Sequence, residues 1–361
     1  MRSLYVAEQG ARLQKSGQRI EVWLEDARME SVRADELAQC VVIGNVGLTT
    51  QAVRALLAAG TDVVFLTSGG TFIGRLSCGL SKNVFLRRSQ YRRLDDPGQA
   101  LALARTVVEG KIENQRRLLL RYQRRQPRKR VATACARLRH IVRRAGEAGD
   151  GDTLRGIEGA AAREYFAAFG ALITAAGIAF EKRLRRPPPD PVNVLLSFGY
   201  SLLGNLVQAA VETAGLDPYF GALHEPRYGR PSLVLDLMEE FRPVVVDSAV
   251  LRAINTRAVT ARDFEPATRE EDDIERLWER QEFERAENRG EEATPPERPI
   301  RFKRPGVRRW LAVWERRLEQ RVHYPPRNLR LSLREVVRAQ VLRLAAMLRD
   351  EGDYLPYLMP W

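Results

Sequence analysis

Residues Leu223 to Pro243 read LHEPRYGRPSLVLDLMEEFRP. From Ser232 to Phe241, the apolar residues Leu233, Val234, Leu235, Leu237, Met238 and Phe241 cover most of a predicted helix. Asp236, Glu239 and Glu240 stand at i, i+3 and i+4, which puts them on one face. A largely apolar helix is a buried one, and a buried carboxylate needs a partner or a metal ion. His224, one of only three histidines, lies in the loop ahead among Pro226, Gly229 and Arg230, within reach of that face. One imidazole converging with carboxylates suits Mn²⁺ or Mg²⁺ better than zinc. The same spacing also fits a helix whose acids meet Arg227, Arg230 or Arg242 in ion pairs, and spacing alone leaves the two open.

A second acid sits oddly. In Gly156-Ile157-Glu158-Gly159-Ala160-Ala161-Ala162, Glu158 is surrounded by residues with almost no side chain. Small neighbours let another helix approach closely, so Glu158 is expected in a helix–helix contact. A helix start favouring acids near the dipole would explain Asp152 better than Glu158, about two turns further in.

Working outward, the chain of 361 residues has room for two domains with cores of their own. The first ~95 residues alternate short strands and turns. Leu4-Tyr5-Val6 is one strand; Ala11 to Gln14 and Arg19 to Leu24 flank a turn as a hairpin. Cys40 to Ile43 and Asp62 to Leu66 are buried-type strands, and between them Thr49 opens a helix. Ser68-Gly69-Gly70 turns the chain into Thr71-Phe72-Ile73. After Asp95-Asp96-Pro97 the pattern becomes helical over 100–122, 131–144, 154–180, 192–214, 231–256, 306–322 and 333–348. The expected fold class is α+β: a small N-terminal β-rich domain, 1–95, then a larger all-α catalytic domain, 96–361. Sheet edges and an apolar face in so small a β-domain call for a cover, so a homodimer joined through residues 1–95 is expected. An acidic segment, 263–301, is expected to interrupt the helical domain as a mobile insertion.

Charge narrows the partners. The chain has 59 Lys+Arg against 46 Asp+Glu, a net of +13. Residues 263–301 hold 14 acids and 7 bases, leaving 52 bases against 32 acids elsewhere. Such an excess marks a binder of polyanions. Basic doublets recur at Arg87-Arg88, Arg92-Arg93, Arg116-Arg117 and Arg124-Arg125, and between Lys111 and Arg130 only Glu113 interrupts them. They suggest sequence-independent contact with a phosphate backbone. Charge alone does not separate nucleic acid from an anionic membrane; the candidate polyanion contacts, DNA contacts if the partner is DNA, are Arg87, Arg88, Arg92 and Arg93, with Tyr200, Arg227 and Arg230.

Other classes recede. Cys40, Cys78 and Cys135 are scattered and odd in number, which argues against a disulfide framework or a zinc site and for a reducing, cytoplasmic compartment. MRSLYVAEQG has no apolar signal region, and the uncharged run Tyr165 to Phe180, 16 residues, is short for a membrane span and reads as a buried core helix. No membrane partner is expected. Gly69-Gly70 lacks the Lys-Ser/Thr of a phosphate-cradling loop, which argues against a nucleoside triphosphate site. His140 and His323 have no clustered acids nearby. The apolar tail YLPYLMPW packs on the domain or on a partner; the sequence leaves both open.

These residues carry a resemblance. Gly156-Ile157-Glu158-Gly159, Asp190-Pro191-Val192-Asn193 through Ser197-Phe198-Gly199-Tyr200, Leu216-Asp217-Pro218-Tyr219 and the 223–243 block resemble the CRISPR-associated integrase. That is the metal-dependent nuclease of the first Cas family, which acquires new spacers. The N-terminal block Gly44-Asn45-Val46-Gly47-Leu48-Thr49-Thr50 leading to Gly60-Thr61-Asp62-Val63-Val64-Phe65 belongs to the same resemblance, which covers nearly the whole chain. It implies a β-domain that dimerises and a helical domain holding the active site. It implies metal ligands Glu158, His224 and Glu239, with Asp236 as a supporting carboxylate; the last ligand is Asp in some members. The implied reaction is attack of a DNA 3′-hydroxyl on a repeat phosphodiester, with Mn²⁺ or Mg²⁺, double-stranded DNA and a small second Cas protein bridging two dimers. The acidic segment is longer than the family usually has there. From the residues alone, two readings stay open beside this one: a nucleic-acid-binding module with a purely structural acid cluster, and a metal phosphoesterase acting on small molecules.

Overall fold

Short apolar runs make the N-terminal strands, and the run Leu37–Ile43 is buried along most of its length. The computed structural model describes residues 2–79, 81–184, 188–266 and 300–360. Most of the acidic segment, 267–299, therefore lies outside the described residues, and so does the expectation of a mobile insertion there. The chain divides into two compact units.

The β-rich unit comprises Met1–Gly79, Leu184–Ser201 and Val259–Leu311. One sheet has the order β1 (Arg2–Val6), β5 (Leu37–Ile43), β7 (Asp62–Leu66), β8 (Phe72–Leu76). Its first three strands run parallel and the last antiparallel. The parallel step from β5 to β7 needs a crossover, supplied by α1 (Thr50–Ala58), whose N-cap Thr49 accepts from Ala52 N. The second sheet is the meander β2 (Arg12–Ser16), β3 (Arg19–Leu24), β4 (Ala27–Arg33), with β6 (Gly47–Leu48) on the far edge. Leu4, Leu13, Ile20, Val32, Cys40, Leu56 and Val63 are all buried in one core drawn from both sheets and α1. Burial pushes the Cys40 thiol up to about 12, as suits a packing residue.

The helical unit comprises Leu80–Arg183, Leu202–Ala258 and Ala312–Trp361. Its central helix α3 (Pro97–Gln123) starts on the N-cap Asp96 with Pro97 in the first turn. It packs on α2 (Val84–Leu94), α4 (Lys129–Gly146), α5 (Gly151–Phe169) and α7 (Ser232–Glu239). Also present are α8 (Ser248–Asn255) and α10 (Leu333–Met347), while α6 (Pro191–Ala214) and α9 (Arg304–Leu318) each have residues in both units.

The expected α+β order holds, with four differences of detail. The helical part is not all-α: β9 (Phe264–Pro266) pairs with β10 (Ile300–Phe302), and β11 (Arg321–Tyr324) with β12 (Leu329–Ser332). The division differs from a cut at residue 95. Leu86, Gln90 and Leu94 bury one side of α2, which counts with the helical unit. Segments 184–201 and 259–311 return to the β-rich unit, where Phe198 meets Phe302 edge-on and leaves no room for a Cβ at Gly70. The helix expected to reach residue 180 stops at Phe169, since Gly170 backs onto the Phe180 carbonyl. The helix expected over 231–256 is broken by a π-helical turn, Arg242–Asp247, at Pro243, which lacks the N–H that would bond the Glu239 carbonyl.

Among the described residues, α6 is long and apolar enough to cross a membrane by length and composition. It is a longer apolar stretch than 165–180, and 67% of its apolar window is buried inside the protein.

Candidate metal centre

Four elements of the helical unit bring the chemistry together: α3 with Lys111, α5 with Glu158, α7 with Asp236 and Glu239, and the loop before α7 with His224. That loop is pinned at both ends. At its start, Gln90 Nε2 donates to the carbonyls of Asp217 (2.9 Å) and Phe220 (2.8 Å) and Gln90 Oε1 accepts from Asp217 N (2.8 Å). Tyr91 OH donates to Asp217 Oδ2 (2.6 Å). At its end the loop wraps the Asp236 carboxylate. Oδ2 accepts from Ala222 N (2.6 Å) and Leu223 N (3.0 Å), and Oδ1 from His224 N (3.0 Å). Gly221 permits this approach: a Cβ there would stand 2.7 Å from Asp236 Oδ2 and 2.8 Å from Leu233 N.

His224 Nδ1 lies 2.6 Å from Asp236 Oδ1. Every other contact of that carboxylate is a donor, so Asp236 is the acceptor here and Nδ1 carries the proton. The lone pair is left on Nε2, the arrangement that metal-binding imidazoles share.

Glu158 and Glu239 come from separate helices and meet on one cation. Lys111 Nζ pairs with Glu158 Oε1 and lies 2.5 Å from Glu239 Oε2. Arg242 Nε takes the other oxygen of Glu239 at 3.1 Å. Burial would raise the Glu239 carboxyl, but Arg242 and Lys111 outweigh it and hold the group well below the usual carboxylate range. Burial acts to lower the Lys111 ammonium, and Glu158 and Glu239 reverse that into a net rise. Both oxygens of Glu239 are thus turned to cations, Oε2 to Lys111 and Oε1 to Arg242.

Among the described residues, no three His, Cys, Asp or Glu side chains are drawn together closely enough to hold an ion. The donor set nevertheless suits a hard divalent cation. Two carboxylates already converge on a positive centre, and a held imidazole offers Nε2.

The three acids of α7 have separate partners. Asp236 holds the histidine loop and Glu239 faces Lys111 and Arg242, while Glu240 is turned to the C-terminal tail. Its carboxylate accepts from Tyr354 OH (3.0 Å), Tyr357 N (2.5 Å) and Gln340 Nε2 (3.2 Å). Burial pushes Glu240 up to about 7, against those hydrogen bonds. Asn114 of α3 ties the same tail down, donating to Tyr357 O (2.8 Å) and Glu240 O (2.9 Å) and accepting from Met359 N (2.7 Å). The apolar tail thus packs on its own domain. Of the arginines weighed as partners for these acids, Arg242 takes Glu239.

The basic surface is more committed than the sequence suggests. Arg116 and Arg117 both bond Glu113. Arg93 pairs with Asp350, Arg87 Nη1 donates to Ser81 O (2.8 Å), and Arg88 lies over the Phe85 ring. Arg92 and Arg227 are exposed; Arg230 and Tyr200 are half-buried. His323 bonds Asn328 Oδ1 at 3.0 Å.

Lys111, Gln90 and Asn114 escaped the sequence reading. Lys111 was available as a signal: it falls four residues after Val107 and four before Gln115, on the buried stripe of α3 rather than among the outward arginines.

The family model of CRISPR associated protein Cas1 matches residues 4–272. The CRISPR-associated endonuclease Cas1 3 of Thermus thermophilus is 37% identical over 350 residues, covering 96% of this chain and 94% of the relative. Among solved structures, a casposase bound to integration product aligns over 100% of this chain and 94% of its own, with TM-score 0.80 and 21% identity. A chain of a Cas6-RT-Cas1–Cas2 complex aligns over 99% of this chain and 36% of its own, with TM-score 0.79 and 23% identity. At those identities the two structures speak for the fold.

Proposed function

This chain belongs to the Cas1 family of CRISPR-associated proteins, and from that premise we propose that it is a metal-dependent DNA endonuclease and integrase that inserts short DNA fragments into a CRISPR array. The observation that carries the reading is the meeting of Glu158 and Glu239 on one cation beside an imidazole already held by Asp236. Glu158, His224 through Nε2, and Glu239 would hold Mn²⁺ or Mg²⁺. When bound, such an ion stabilises negative charge developing on the phosphate oxygens. Asp236 keeps the proton on Nδ1 and the ring in place, and Arg242 balances the charge of Glu239. The oxygen of a DNA 3′-hydroxyl forms a bond to phosphorus in the repeat, the existing P–O bond breaks, and the proton passes from the attacking to the leaving oxygen. One phosphodiester replaces another, so no energy source enters.

The DNA is double-stranded and held mainly through its backbone, in keeping with 52 bases against 32 acids outside 263–301. The protein pairs as a homodimer through its β-rich region. Strands β4 and β8 are sheet edges that leave Met29, Phe72 and Leu76 exposed, which supports that pairing. The proposed partner is a small second Cas protein that bridges two dimers; a fold neighbour is part of a Cas1–Cas2 complex, which supports the partner.

The test is strand transfer of a short duplex into a repeat-containing DNA, with Mn²⁺, Mg²⁺ or EDTA. Activity with either metal and none in EDTA is expected. DNA binding with no chemistry under any of the three would overturn the reading. Light scattering that finds a stable monomer at micromolar concentration would overturn the dimer.

A further inference from the structure

Lys111 has no part in the chemistry above, yet it stands where Glu158 and Glu239 converge. It is 8% exposed and projects from the stripe of α3 that also buries Val107, Val108 and Ile112. An isolated ammonium at that depth would be driven neutral, and an isolated pair of buried carboxylates would repel. Each is tolerable only because of the other. Arg242 occupies Glu239 Oε1, so the oxygen turned to Lys111 is Oε2. Glu158 Oε1 and Glu239 Oε2 are therefore two anionic oxygens aimed at a single positive centre.

We infer that Lys111 is an internal counter-ion that occupies the cation position between Glu158 and Glu239, and that a divalent ion must displace it to bind. This rests on the metal-centre reading proposed above. Lys111 keeps the two acids together when no metal is bound, which favours a folded, inactive site. It also raises the apparent dissociation constant of the metal, by the inverse of the fraction of molecules whose ammonium has moved out. A residue with a purely structural role would, when removed, lower both metal-free stability and metal affinity. Removal of a competitor lowers the first and raises the second.

The full chain and its Lys111→Met, Lys111→Gln and Glu239→Gln variants are titrated with Mn²⁺, following free Mn²⁺ by electron paramagnetic resonance, and melted in EDTA and in saturating Mn²⁺. The expected result is binding by the wild type, weaker binding by Glu239→Gln, and binding tighter by about tenfold or more in both Lys111 variants. Those two variants melt lower than wild type in EDTA and regain the difference with Mn²⁺. If the wild type binds through Glu239 while the Lys111 variants bind equally or more weakly, the counter-ion inference is wrong and the metal centre stands. Lys111 variants that do not fold even in saturating Mn²⁺ also overturn it, because the ion should replace the ammonium. If neither the wild type nor any Lys111 variant binds Mn²⁺, the metal centre fails and takes this inference with it.

Discussion

Replacing Asp236 by Asn changes one oxygen to an amide nitrogen and nothing in size, so the outcome turns on hydrogen-bond direction alone. The carboxylate accepts four bonds, two on each oxygen. If the new NH₂ stands at Oδ2, it faces the N–H groups of Ala222 and Leu223, and both lose their acceptor. If it stands at Oδ1, His224 N loses its acceptor and the imidazole must move its proton to Nε2, the nitrogen proposed to hold the metal. The first orientation removes two bonds to a charged group; the second removes one and reverses the bond to the imidazole, each lost bond being worth ~1.5–3 kcal/mol. The site has little slack to recover them, since even a Cβ at Gly221 would stand 2.7 Å from Oδ2. A loss on the order of 2–6 kcal/mol follows, a large share of a marginal stability of ~5–15 kcal/mol. Calorimetric melting in EDTA reads the stability, and ¹⁵N-histidine NMR reads the tautomer. Strand transfer, measured where both proteins are folded, should fall by about 10–100-fold through weakened metal holding. An Asp236→Asn variant that melts with the wild type and keeps its turnover would show that Asp236 does not orient His224.

Three further outcomes follow from the same geometry. Glu158→Ala, His224→Ala and Glu239→Ala each abolish strand transfer while filter binding of DNA changes little, because affinity comes from dispersed basic groups; near wild-type turnover in any of them would refute the ligand set. Gly221→Ala puts a Cβ 2.7 Å from both Asp236 Oδ2 and the Ser232 carbonyl carbon, so a loss of about 1–3 kcal/mol in denaturant melts is expected together with reduced activity; an unchanged midpoint would show that the loop has room. Glu240 sits near 7 when folded against an ordinary 4.5, so the folded state holds a proton that the unfolded chain has released. Stability from this group is therefore present below about 4.5 and lost as pH rises to about 7, on the order of 3 kcal/mol in all. In EDTA, Glu240→Gln should flatten that part of the stability curve relative to wild type, and an identical slope would rule Glu240 out as its source.

Much of what depends on neighbours in the chain was legible in the sequence, although the local break at Pro243 was not foreseen. Thr49 and Asp96 cap helices where a short oxygen-bearing side chain precedes an apolar period, and the hairpin of β2 and β3 closes around its own turn. The order of strands before helices, the burial of α7 and the acids Glu158, Asp236 and Glu239 could be named for the same reason: each stands out against its immediate surroundings. Periodicity says which face a residue occupies but not what meets it. Asp236, Glu239 and Glu240, close on one helix, have three different partners because the His224 loop, α3 and the C-terminal tail arrive from different directions. Lys111 meets Glu158 across 47 positions of sequence, and Gln90 reaches the loop before His224 across 127. Such pairs are chosen by how α3, α5 and α7 pack and by the desolvation that makes a buried charge seek its opposite. That choice exists only once the helices are together.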